Sequence, residues 1–463
     1  MNAVVTSQGA GSVTDGLPMP ARLGAIFAIA CGIAMAVLDG AIVNVALPTI
    51  AGDFNTSPAS SIWIVNAYQL AVTMTLLSLS SLGDIVGYRR VYLVGLVLFT
   101  LMSFVCAMSD SLATLTLARI LQGLAAAALM SVNTALIRLI YPRDRLGRGM
   151  AINSLVVAVS TAAGPTIAAG ILGVASWQWL FAINVPFGVV AMILGWRFLP
   201  RNDGMRTQRF DTPSAVLNAL TFGLFFVALG GFAHQQNSWL VLGELLLTLL
   251  VGGYFFRRQL RQPYPLLPVD LLRIPVFALS MGTSVSSFCA QMLAMVSLPF
   301  YFQSALGMNE IETGLLLTPW PLAIMAVAPL AGRLIERFNA GILCTIGLAL
   351  FALGLFSLAW LPAKPGYLEI CLRMMLCGIG FGLFQSPNNH TIISAAPRHR
   401  SGGASGMLGT ARLVGQTTGA ALVALMFNLF GELGTHAALM TAGTFATLAA
   451  IVSGQRISRL KTD

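Results

Sequence analysis

Residues 23–50 read LGAIFAIACGIAMAVLDGAIVNVALPTI. As a helix this stretch runs ~40 Å, enough to cross a bilayer with some tilt. It holds one ionisable side chain, Asp39, near its middle. A carboxylate facing lipid at that depth costs about 3 kcal/mol, so it is expected to face protein or a watery cavity. Desolvation penalises the charged form, so an acid held there can keep a proton and exchange it for a cation. The plainer alternative is an acid that only pairs with a neighbouring helix.

The rest of the chain is of the same kind. Of 463 residues, 57% are hydrophobic and 9% charged, with a mean hydropathy of +0.82. Soluble domains carry roughly 25% charged residues, so this is an all-α polytopic membrane protein. The net charge of +10 is spread in short clusters between apolar runs, which does not suit a nucleic-acid surface. Six cysteines lie inside apolar segments without a C-x-x-C, so neither a disulfide framework nor a zinc site is signalled. The polar start, residues 1–21, reads as a disordered cytoplasmic segment. The run after it is too long for a signal-peptide core.

Fourteen apolar spans are expected near 23–48, 60–82, 91–109, 112–138, 149–173, 179–199, 213–232, 239–257, 276–303, 311–335, 340–361, 367–394, 402–428 and 435–455. Loop charge supports this count. Of the 26 Lys and Arg, all but four fall in alternate loops and at the two ends, including a tail group of Arg456, Arg459 and Lys461. The exceptions are Lys364 in the opposite set and Arg119, Arg373 and Arg412 within spans. By the positive-inside rule both termini are cytoplasmic. Twelve crossings, with 213–257 a hairpin that does not cross, is the alternative.

Two junctions repeat: SSLGDIVGYRRV at 80–91 and GRLIERFNAG at 332–341, with Asp84 matching Glu336. This divides the chain into a six-helix half at 22–199, a linker with an inserted two-helix hairpin at 200–275, a second six-helix half at 276–456 and a tail at 457–463. Two related halves with a site between them is a transporter architecture.

Five stretches carry a resemblance: LDGAIVNVALP at 38–48, GDIVGYRR at 83–90, LARILQG at 117–123, AAGPTIAAG at 162–170 and ARLVGQTTG at 411–419. In these the chain resembles the fourteen-span drug:proton antiporters of the major facilitator superfamily, over essentially everything after residue 20. The resemblance implies the major facilitator fold. It also implies that Asp39 serves proton coupling and that Arg119 exchanges partners with it. A purely structural ion pair is the alternative for Arg119. Gly83, Asp84, Gly87, Arg89 and Arg90, with Glu336 and Arg337 in the second half, would form a charged latch at the cytoplasmic gate. An ordinary positive-inside turn is the alternative. Gly164, Pro165 and Gly170 would be the antiporter motif, although where the pattern normally ends in two glycines this chain has Ala168 and Ala169, then Gly170. Ala41 stands where the family usually has Thr.

Helical spacing adds detail. Asp39 shares a face with Met35, whereas Asn44 lies about 140° round the helix. Arg119, Gln122 and Gly123 share a face of the fourth span. Met35, Tyr68, Gln291, Met292, Met295 and Tyr301, with Trp320 and Phe384, offer thioethers and flat rings for varied lipophilic cations. Most Met and Phe in such a chain simply face lipid or core. Asn44 and Gln122 are also candidate cavity residues. So are Asn388, Asn389 and His390 in FQSPNNH at 384–390, whose polar groups need partners and whose histidine titrates near neutrality. Satisfied packing is the alternative for His390. Glu310, Glu312, Glu369 and Glu432 read as solvated loop acids, and Glu244 as an outer-surface group.

Neither lysine, Lys364 or Lys461, follows glycine, so no ATP-binding P-loop is present. No metal-ligand or Ser/His/Asp pattern stands out. The expectation is no enzyme, no cofactor beyond a proton gradient, no metal, no nucleic acid and a monomer in the bacterial inner membrane. It would be a proton-coupled antiporter exporting lipophilic, cationic drugs by alternating access. A narrower transporter of an endogenous metabolite or organic anion competes, because Arg119, Arg373 and Arg412 outnumber the buried acids. A membrane sensor or enzyme is a third class.

Overall fold

In lipid every backbone polar group needs an internal partner, which leaves a multi-pass chain to fold as helices. A computed structural model describes residues 16–142, 145–202, 210–233, 237–262, 265–362, 364–397 and 400–459, and among them there is no strand. The helices are α1 (Ala21–Asp53), α2 (Pro58–Ser61), α3 (Trp63–Val86), α4 (Tyr88–Ala107), α5 (Leu112–Ile140), α6 (Leu146–Leu172), α7 (Gln178–Ala182) and α8 (Asn184–Phe198). Then come α9 (Thr212–Ala233) and α10 (Ser238–Arg261), followed by α11 (Pro275–Phe300), α12 (Glu310–Leu317), α13 (Pro319–Leu334), α14 (Ala340–Ala359), α15 (Tyr367–Ala395), α16 (Ser401–Phe430) and α17 (Gly434–Arg459).

Thirteen stretches of the described residues are long and apolar enough to cross a membrane. The last, Gly403–Arg456, contains both α16 and α17, which are separated by a turn at Gly431–Leu433.

One packed group joins α1 to α5, α6 and α8, α3 to α5, and α4 to α5 and α8. A second joins α11 to α16 and α17, α13 to α15, and α14 to α15 and α17. Between them, α9 packs on α3 from the first group and on α16 from the second. The inserted hairpin therefore sits across the seam. Its second helix, α10, turns Leu246, Leu249 and Leu250 outward.

Prolines account for the boundaries that differ from expectation. Helix α1 passes through Pro48 to Asp53. A proline removes one helix bond, and Gln303 Nε2 donates to the nearby Val45 carbonyl at 3.0 Å. The span expected at 311–335 divides at Thr318, where Pro319 opens α13. The expected disorder of 1–21 is corrected from Gly16 onward, because Leu17 N–H donates to the Ile140 carbonyl at 2.9 Å. Residues 1–15 and 460–463 lie outside the described residues. The tail expectation is corrected too, because α17 runs on through Arg459.

Candidate functional site

Three helices of the first group converge on Asp39. Arg119 and Gln122 are three residues apart on α5, so one turn aims both at α1. Arg119 Nη1 pairs with Asp39 Oδ2. Gln122 Nε2 donates to Asp39 Oδ1 at 3.0 Å, and Asn184 Nδ2 from the start of α8 donates to the same oxygen at 3.2 Å. Gln122 also donates to Ser103 Oγ at 2.9 Å and accepts from Arg119 Nη1 at 2.7 Å. The guanidinium lies 4.1 Å from the Tyr68 ring centroid and 5.6 Å from that of Phe181. Tyr68 is fixed by donating to the Ala36 carbonyl at 3.1 Å.

Asp39, Arg119 and Gln122 are each 0% exposed. Two charges so far from water cost several kcal/mol unless paired and hydrogen-bonded, and here both conditions are met. In this conformation the carboxylate is closed off. Sequence reasoning found Asp39, Arg119 and Gln122 from the rarity of such residues within spans. It missed Asn184 and Ser103, which look like ordinary small polar residues until helices pack.

Contacts across the seam gather away from the arginine-rich loops. Thr49 Oγ1 lies 3.2 Å from Glu310 Oε1 and 3.5 Å from Gln303 Oε1. Thr166 and Thr318 share a hydrogen bond of 2.8 Å, and Thr73 and Thr417 one of 3.0 Å. Glu310 is thus a contact between groups rather than a solvated loop acid. Glu369 pairs with Arg373 within α15.

The expected latch is arranged differently. Asp84 accepts from Tyr88 at 2.8 Å, and among the described residues it pairs with neither Arg89 nor Arg90. Arg89 donates to the Trp196 carbonyl in its own group, and Arg90 to the Val86 carbonyl at 3.5 Å. The physical cause is Gly87, whose φ of 100° turns the chain and sets Arg89 back toward α8. Glu336 and Arg337 are exposed and make no ion pair among the described residues. Gly83 lets α3 approach α5, because an added Cβ would lie 2.6 Å from Val132.

In the antiporter motif, Pro165 lies inside α6 and Gly164 lets α6 approach α1, where an added Cβ would come within 2.6 Å of the Ala41 methyl. Gly170 is corrected: nothing lies within 4 Å of its Cβ position, so it brings no helix close.

Several cavity expectations also change. Trp320 and Phe384 are 0% and 1% exposed and pack in an aromatic chain with Phe351 and Phe381, so they line no opening here. Met35, Met292 and Asn44 are buried among helices, and Asn44 Oδ1 lacks a partner. His390 is exposed on the α15 stripe that carries Leu372 and Met375, turned away from the buried Phe381 and Asn388. Asn389, Gln291, Met295 and Tyr301 are half-buried.

Asn388 belongs to a second polar cluster. It accepts from Arg456 Nη1 at 2.7 Å and donates to Ser284 Oγ at 2.8 Å. Arg456, expected in the cytoplasmic tail, is 1% exposed within α17 and also donates to Ser280 at 2.7 Å and Ser453 at 2.6 Å.

Long apolar helices in two groups, with charged and polar side chains buried inside them, define a multi-pass membrane transporter. The chain belongs to the Major Facilitator Superfamily, whose profile matches residues 29–420. Members of that family are transporters and in general not enzymes.

Among its relatives, the Escherichia coli (strain K12) protein named Uncharacterized transporter YebQ is 66% identical over 96% of this chain and 98% of its own length. Riboflavin transporter RibZ of Clostridioides difficile (strain 630) is 31% identical over 86% of this chain and 87% of its own. Multidrug resistance protein Stp of Mycobacterium tuberculosis (strain CDC 1551 / Oshkosh) is 30% identical over 86% and 74%. A solved structure, the peptide transporter POT in complex with sulfate, superposes with a TM-score of 0.73 at 14% identity, covering 96% of this chain and 97% of that one. At that identity the likeness is one of fold alone.

Proposed function

We propose that this protein is a proton-driven antiporter that exports lipophilic compounds across the bacterial inner membrane by alternating access. The arrangement we infer is fourteen crossings, two six-helix halves with α9 and α10 inserted between them, and both termini in the cytoplasm. The protein works as a monomer and draws on the proton gradient, with no bound cofactor. The observation that carries this reading is the buried Asp39–Arg119 pair, braced by Gln122 and Asn184. Stability alone does not call for it, since a well-packed apolar set of similar volume is often as stable as a buried ion pair. One charge crossing 100 mV supplies about 2.3 kcal/mol, a useful drive for each cycle.

The multidrug resistance named for one relative favours a broad substrate range. The riboflavin transport named for another favours a narrower one. A test uses everted membrane vesicles loaded with a panel of fluorescent dyes of differing charge. Energised wild-type vesicles are expected to accumulate at least one dye, and a protonophore, which dissipates both the pH gradient and the membrane potential, to release it. Accumulation that survives the protonophore would contradict proton drive.

A further inference from the structure

Four of the arginines buried or half-buried within the helices, Arg119, Arg373, Arg412 and Arg456, are not equally balanced. Arg119 has Asp39, Arg373 has Glu369, and Arg456 has three neutral acceptors. Arg412, two turns or more inside α16, is half-buried and among the described residues makes no ion pair and donates no hydrogen bond. Its guanidinium carbon lies 5.6 Å from the ring centroid of Phe288 on α11.

The direction of Arg412 follows from its helix. Gly415 and Gly419 face α11, where an added Cβ on either would lie 2.5 Å from a backbone oxygen, that of Val285 or Cys289. Gly409 and Thr417 face α3, against Leu76 and Thr73. At 100° per residue Arg412 falls between these two faces, toward the space bounded by both groups. Gln416 follows it one turn on, and Gln291 lies one turn beyond Phe288 on α11. Both amides are half-buried and have no hydrogen-bond partner among the described residues.

A cation at membrane depth needs an anion, water or a polar cavity. A planar guanidinium matches a carboxylate with two parallel bonds, and the Phe288 ring on its other side holds it in place. We propose that Arg412 is the recognition point for an anionic group, a carboxylate or its equivalent, on the substrate, with the buried Phe288 seating the guanidinium and Gln291 and Gln416 flanking it. This rests on the exporter reading above and replaces the sequence expectation of a purely cationic substrate. A lone positive charge repels such a cation but accepts a zwitterion or an anion.

The test is equilibrium binding of two dyes to the purified full-length protein, read by fluorescence polarisation. Rhodamine B carries a free carboxylate, and its ethyl ester differs only in masking it. Wild type is expected to bind the acid at least about tenfold more tightly than the ester. Arg412→Gln should lose that preference by weakening the acid while keeping ester affinity, which also shows that the variant is folded. Arg412→Lys should keep part of the preference. Equal binding of the two dyes, no binding of either, or a preference that persists in Arg412→Gln would overturn the proposal. No gradient is present, so the assay is blind to proton coupling. Loss of gradient-driven uptake in Asp39→Asn with unchanged acid preference would separate the two readings.

Discussion

Asp39 receives hydrogen bonds from three side chains on two other helices, and each donor is a separate point of attack. Gln122 joins Asp39, Ser103 and Arg119. A hydrogen bond to a charged group contributes about 1.5–3 kcal/mol, more than a neutral one. Gln122→Ala is therefore expected to destabilise the detergent-solubilised protein by about that amount. Thermal unfolding followed by tryptophan fluorescence checks this, and an unchanged midpoint would show that the amide is not holding the pair. At this scale the sequence was readable wherever a residue was rare. An acid or arginine inside an apolar span stands out unaided. Partners such as Asn184, and the burial of Arg456 near a helix end, depend on which helices meet, and nothing local to those residues signals it.

Helix contacts divide the glycines into those that hold neighbours close and those that do not. A side chain on Gly164 would be driven into Ala41, while one on Gly170 meets nothing. Gly164→Val should therefore separate α6 from α1 and destabilise by about 1–3 kcal/mol, the usual cost of overpacking. Gly170→Ala should leave expression and unfolding temperature at wild-type values. Equal effects from the two substitutions would contradict the packing assigned to this motif. Helix existence was legible throughout, because a run of apolar residues has few alternatives in lipid. Helix ends were less so, because Pro48 and Pro387 lie inside helices rather than ending them.

The inserted hairpin has its own electrostatic anchor just before α9. Burial pushes the Asp211 carboxyl up, but hydrogen bonds from Ser214, Gln262 and Arg258 outweigh it and bring it from 3.8 down to about 2. A carboxylate with a lowered folded value stabilises above its unfolded value, and that contribution fades as pH falls through the folded one. Asp211 should thus support the hairpin fully above about pH 4 and lose its effect toward about pH 2. Melting temperature measured against pH should fall more steeply over that window in wild type than in Asp211→Asn. Parallel curves would remove Asp211 from the account.

For the whole molecule, the distribution of contacts matters more than their number. Bonds across the seam at Thr49, Gln303, Glu310, Thr166 and Thr318 close the end away from the arginine-rich loops. Among the described residues, the charged loop 83–90 bonds within its own group and to Asn202. Alternating access requires the Thr49 contacts to part. Cysteines at Thr49 and Glu310 should cross-link readily and stop transport, with reduction restoring it. Full transport by the cross-linked protein would mean that this end does not open. The two-group arrangement was foreshadowed by the repeated junctions at 80–91 and 332–341. The place of α9 between the groups was not, because both faces of that helix are equally apolar in sequence.

The central claim is that a proton on Asp39 is exchanged during transport. The most direct measurement uses proteoliposomes containing a pH-sensitive dye, in which proton movement is followed as substrate is transported. Wild type should move protons against substrate. Asp39→Asn should move none, and the neutral double substitution Asp39→Asn with Arg119→Gln guards against simple loss of fold. Substrate-linked proton movement of wild-type size in folded Asp39→Asn would contradict the account.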